Sequence, residues 1–93
     1  MRAIWKGIVT AESDHTVVVE GNHYVPPQAV RWNLLTPSHT RTRCHWKGQA
    51  HCWSIKGGDE AAADVAWAYP HPSPAAHEIA GHVAFWRGVK VSD

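Results

Sequence analysis

Along this 93-residue chain, apolar residues fall mostly in short runs cut by glycine and proline. "AIWKGIVTA" predicts two short strands around Lys6-Gly7, with Gly7 supplying the backbone angles of a tight turn. "HTVVVEG" contains the β-branched run Thr16 to Val19, a strand signal, and Glu20-Gly21-Asn22 turns the chain into a short strand "HYV". Pro26 and Pro27 cannot donate to a ladder and stop it. They pre-set a helix over "PQAVRWNLL", where Val30 and Leu34 lie four apart, and Pro37 ends that helix. "TPSHTRTR" reads as a polar loop, and "RCHW" and "QAHCWSI" as strands around a Lys47-Gly48 turn, with a second turn at Gly57-Gly58-Asp59. "DVAWAY" is a further strand. "PAAHEIA" after Ser73 predicts a second short helix stopped by Gly81. "HVAFW" and "VKV" read as strands joined at Arg87-Gly88. The fold class expected is mainly β (α+β): antiparallel sheets of about seven or eight short strands with two short helices.

Length and composition narrow the class. Ninety-three residues make one domain, 1–93, near the lower size at which an apolar core suffices without staples. Hydrophobic residues at 44% and charged residues at 18% are a globular composition. Nine basic residues against eight acidic ones, with only Arg41 and Arg43 close together, give no phosphate-binding face, which argues against nucleic acid. "MRAIWKGIVT" lacks a signal-peptide pattern, and no apolar run reaches the roughly 20 residues of a membrane span, so a soluble, cytoplasmic protein with no membrane partner is expected. In a reducing compartment the two cysteines read as thiols. Eight histidines predict stability and solubility that depend on pH below about 6.5. Six tryptophans exceed what so small a chain easily hides; Trp5, Trp32, Trp53 and Trp86 are expected in the core and others around a pocket.

Three motifs, Glu-Gly-Asn-x-Tyr-x-Pro at Glu20 to Pro26, Thr-x-Cys-x-Trp-Lys-Gly at Thr42 to Gly48 and Trp-x-Tyr-Pro at Trp67 to Pro70, give the chain a resemblance to the bacterial domain-of-unknown-function 427 family over nearly its whole length. The resemblance implies a β-tent-like architecture, antiparallel sheets meeting at an angle, as in methionine-R-sulfoxide reductases and the thalidomide-binding domain of cereblon. It does not by itself imply an activity. A nucleotidyltransferase-like label attached to the family finds no Gly-rich phosphate loop and no magnesium-binding carboxylate pair here. The chain departs from the family pattern at His45, where proline is usual, and at His51-Cys52, where tyrosines are.

"TRCHWKGQAHCW", residues 42 to 53, concentrates the candidate chemistry. A metal would need about four ligands. A turn at Lys47-Gly48 places Cys44 and Cys52 on one face and His45 and His51 on the other, two candidates a side, so no metal or other cofactor is expected. A reactive thiol is a second reading: Cys44 lies in the family motif, and Lys47, Arg43 or a protonated His45 would favour its thiolate. The third reading, a pocket, fits best. Tyr24, Trp46, Trp67 and Tyr69 would wall it, Lys47 and Arg43 would hold a planar or anionic small molecule, and Cys44 would lie at its floor or edge. The rival classes are an enzyme using Cys44 as nucleophile or Lys47 as electrophilic stabiliser, and an interaction domain that seats a protein partner or forms a homodimer through exposed tryptophans.

Overall fold

The computed structural model describes residues 1–57 and 59–92. Nine strands run through them: β1 (Arg2–Trp5), β2 (Ile8–Glu12), β3 (Val17–Val19), β4 (Asn22–Tyr24), β5 (Leu35–Cys44), β6 (Gly48–Gly57), β7 (Glu60–Ala68), β8 (Val83–Phe85) and β9 (Val89–Ser92). They form three antiparallel sheets, ordered β2-β1-β9, β3-β4 and β5-β6-β7-β8. The mainly β expectation holds. The strand count is higher than expected, and no α-helix occurs among the described residues.

Both expected helices are 3₁₀ turns, for a physical reason that lies outside the local sequence. Pro27–Ala29 forms one such turn and Trp32–Leu34 another. Between them Val30 is extended, bridged to Ala11, and the Arg31 N–H donates to the Thr10 carbonyl at 2.8 Å. Pairing with β2 thus overrides the helical spacing of Val30 and Leu34. Pro74–Ile79 is the third 3₁₀ segment, interrupted at Ala76 and followed by a parallel bridge between Ala80 and Tyr69. The expected polar loop "TPSHTRTR" belongs to β5, an edge strand on which exposed polar residues and Pro37 are tolerated.

Two-residue turns at Lys6-Gly7 and Glu20-Gly21 have positive φ at both positions, the type I′ pattern that matches strand twist in a hairpin. Arg87-Gly88 has the same signature, but the strands it joins do not pair with each other. β8 pairs with β7, whereas β9 pairs with β1, so this turn carries the chain between sheets. Of the turn expected at Gly57-Gly58-Asp59, Gly58 lies outside the described residues.

Two clusters hold the sheets together. The larger includes Trp5, Val25, Leu35, Ile55, Val65, Val83 and Phe85. The smaller packs Tyr24, Ala50, Tyr69, Ala76, Ile79 and Ala84, with Cys44, Trp46 and Trp67 partly buried against it. The β3–β4 hairpin is tied to the four-stranded sheet at Val25, whose N–H and carbonyl both bond to Val83 at 2.8 Å. That tie brings the tip of the hairpin over the smaller cluster.

Candidate functional site

A cleft of about 190 Å³ opens over the smaller cluster, lined by Asn22, Tyr24, Thr42, Lys47, Cys52, Trp67, Tyr69 and Trp86. Its floor comes from alternation on adjacent strands. Cys52 on β6 lies directly opposite Trp67 on β7, so both side chains leave the sheet on one face. Trp67 meets Tyr24 edge-to-face, with centroids 6.2 Å apart, and its Nε1–H donates to the Tyr24 hydroxyl at 3.1 Å. Tyr69 lies 6.5 Å from Tyr24. Burial pushes the Tyr69 phenol up to about 12 and raises Tyr24 as well, so both rings keep their protons across the neutral range.

Trp86 closes one side. Its ring meets Trp67 edge-on at 5.4 Å, and the Arg87 guanidinium stacks 4.3 Å from its centroid. The Trp86 Nε1–H donates to the Asp64 carbonyl at 2.8 Å. Asp64 has φ 53° inside β7, where the β6–β7 register slips; this left-handed kink aims its carbonyl at the indole. Thr40 on β5 donates to the Asp64 carboxylate at 2.9 Å.

Lys47 supplies the charge. It sits in the tight connection between β5 and β6, where Gly48 takes φ 114°, a value unfavourable to a residue with a Cβ. The Ser73 N–H donates to the Lys47 carbonyl at 2.9 Å, and the Ser73 hydroxyl donates to the Trp46 carbonyl. Held in this way, Lys47 is only 6% exposed. Its ammonium lies 5.0 Å from the Trp46 ring centroid and 5.6 Å from that of Tyr69, and donates to the Glu20 carboxylate on the β3–β4 turn. Burial lowers its pKa from the usual lysine value.

Tyr24, Lys47, Trp67 and Tyr69, singled out from the motifs, therefore line one cleft. Trp46 packs behind Lys47 and is not part of the lining. Arg43 pairs with Gln49 on β6, is exposed, and is also absent from the lining. Its position next to Thr42 explains this, since neighbours on a strand point to opposite faces and Thr42 takes the cleft side. Cys44 is half-buried against the smaller cluster, outside the lining, and Cys52 takes the place at the cleft. Both thiols are free. With Cys44 paired to Gly48, Cys52 lies four residues further along β6, a separation of about 13 Å at strand rise, beyond disulfide reach. Burial raises the Cys52 thiol pKa, which disfavours its nucleophilic form. Among the described residues, no group of three or more His, Cys, Asp or Glu side chains is placed to hold a metal ion.

Asn22, Thr42, Cys52 and Trp86 also line the cleft, although the motif segments gave them no binding role. Alternation from the Gly48 turn puts Cys52 on the face of Cys44, as expected, but of the two thiols it is Cys52 that reaches the cleft. Trp86 and Trp32, expected in the core, are 47% and 39% exposed. Trp86 leaves the core because the chain turns there between two sheets.

The fold and cleft define a small antiparallel β domain with an aromatic wall around one buried cation. The chain belongs to the family described as Domain of unknown function (DUF427), whose model matches residues 1–92. No curated protein matches the chain.

Proposed function

We propose that this domain binds a planar small molecule in the cleft, with the aromatic rings supplying contact area and Lys47 fixing a polar group. The observation that carries this reading is a buried lysine ammonium beside a cavity walled by Tyr24, Trp67, Tyr69 and Trp86. Burying a lysine costs free energy that an apolar residue in the same place would not incur, so its presence at a cleft points to recognition. Size limits the ligand. A dry cavity of about 150 Å³ accepts benzene, and a volume slightly above that suits one ring with a small substituent.

We also assign the sheets to the β-tent group, on the strength of three antiparallel sheets around two adjoining clusters. A cytoplasmic location belongs to the same proposal, supported by two free thiols. No helix among the described residues is long and apolar enough to cross a membrane.

Titration with benzamide, followed through the indole N–H resonances, tests the binding reading. Expected are shifts at Trp67 and Trp86 that vanish in Trp67→Ala, while Trp32 stays still. Shifts confined to Trp32, or none, would remove the reading. Catalysis with Cys44 as nucleophile or Lys47 as electrophilic stabiliser is a separate reading, and rapid iodoacetamide labelling of Cys44 at a pH well below about 8 would support the first, whereas an inert Cys44 marks a structural thiol.

A further inference from the structure

The cation of the cleft is already neutralised from within the chain, and the manner of its neutralisation is unequal. Lys47 is held rigidly and is almost wholly buried. Glu20, its partner, has a side chain 53% exposed and stands on the two-residue turn of the short β3–β4 hairpin. A buried ammonium needs an anion, but a half-exposed carboxylate loses little by rotating into water. The Glu20 carboxylate also approaches an ammonium that lines the cleft, beside Tyr69.

We propose that Glu20 is an internal stand-in for the carboxylate of a ligand. Resting on the reading of the cleft as a small-molecule site, this makes the ligand class single-ring aromatic or planar carboxylates. On binding, the ligand carboxylate takes the Lys47 ammonium, its ring enters the space lined by Tyr24, Trp67, Tyr69 and Trp86, and the Glu20 side chain swings outward. The tethered Glu20 competes at high effective concentration, so it sets a threshold that weak or badly shaped anions do not pass. No backbone rearrangement is required, because rotation of the Glu20 side chain frees the ammonium.

Benzoate and benzamide share a ring and differ in charge, which makes them the probes. Both are titrated by calorimetry and by indole N–H shifts into the natural protein, Glu20→Gln and Lys47→Met, each first verified as folded by circular dichroism. Glu20→Gln is expected to tighten benzoate about tenfold or more, corresponding to removal of one charged competitor, with benzamide within about twofold of the natural protein. In Lys47→Met, which lacks the cation that the carboxylate would take, benzoate is expected to bind more weakly than in the natural protein, and unchanged benzoate affinity there counts against the proposal. Equal benzoate affinity in the natural protein and Glu20→Gln, with benzamide bound at Trp67 and Trp86, would overturn the stand-in role and leave the binding site intact. Should neither probe move Trp67 or Trp86 in any folded variant, both proposals fail. If Glu20→Gln does not fold, Glu20→Asp replaces it: a carboxylate one methylene shorter should also tighten benzoate, and unchanged affinity there counts against the proposal.

Discussion

The two clusters of this domain are built on different terms. Around Ile55 and Val83 the buried side chains are mostly aliphatic, with Trp5 and Phe85 among them, and the buried Thr10 hydroxyl is satisfied by donating to the Ala3 carbonyl at 2.9 Å. On the cleft side β6 and β7 present Cys52 and Trp67, and β4 and the connections beside them add Tyr24, Tyr69 and Lys47, groups that carry a polar handle on an apolar body. The first arrangement yields stability through area removed from water, with few directional demands. The second gives up some of that gain for directed hydrogen bonds, such as that from Trp67 to Tyr24, and for a charge held out of water. One sheet can therefore be a support on one face and a recognition surface on the other.

Truncation separates the two most strongly. Ile55→Ala, at a site 1% exposed, is expected to cost about 2–5 kcal/mol by urea unfolding, since it loses transfer free energy and leaves a cavity. An equally large loss from Cys52→Ala at the cleft would break the distinction.

Alkali should act only on the polar cluster. Folded-state pKa values of Tyr69 and Tyr24 above the ordinary tyrosine value mean that the native state retains protons the unfolded chain releases. The associated stability is intact below about pH 10 and is lost as pH rises through the folded value of about 12, up to about 3 kcal/mol for Tyr69. Urea midpoints at neutral pH and at about pH 11, by which about half of that loss has occurred, test it, and Tyr69→Phe is expected to flatten the fall.

Next in size is the Lys47–Glu20 pair, where the two partners are predicted to behave unequally. Glu20→Ala leaves a buried ammonium without its anion and should cost about 1–2 kcal/mol, a value below that of a fully buried pair because water reaches the Glu20 side. Lys47→Met keeps the volume and leaves a carboxylate free to hydrate, so its urea midpoint should stay close to the natural one. The reverse order would show that Glu20, not Lys47, is the dependent partner. Smallest is Tyr24→Phe, which takes the acceptor from the Trp67 indole N–H and should cost about 1 kcal/mol, with a shift of that N–H resonance as its signature.

How far the sequence spoke differs between these regions. Turns were legible where two residues decide the matter: Lys6-Gly7 and Glu20-Gly21 turn where expected, because positive φ at paired positions is a local requirement. Helical spacing at Val30 and Leu34 misled, since the choice was made by β2 through the Ala11 bridge, a contact between residues far apart in the chain. β5 was hidden by its polarity, for an edge strand exposed over most of its length carries no apolar alternation. At the cleft, residue chemistry pointed to Tyr24, Lys47, Trp67 and Tyr69, but facing requires register. Arg43 and Cys52 show this: a position of odd or even parity relative to Gly48 decides which side of the sheet each one joins. The Glu20 contact to Lys47 was not legible at all, because 27 residues separate them and long-range contacts, the Val25 bridge to β8 and the packing of Tyr24 on Trp67, bring the hairpin across.

The free border of the four-stranded sheet has a further consequence for how copies of this protein meet. An unprotected row of backbone donors and acceptors along β5 would be a template for fibre growth, one chain adding to the next. Here Pro37 removes a donor, the pairing slips between Pro37 and Arg41, and the exposed His39, Arg41 and Arg43 add bulk and charge. A neighbouring strand cannot follow that outline without losing bonds or bringing like charges together. The same eight residues, 36–43, that disguise a strand as a loop in the sequence thus protect the concentrated protein against stacking edge to edge.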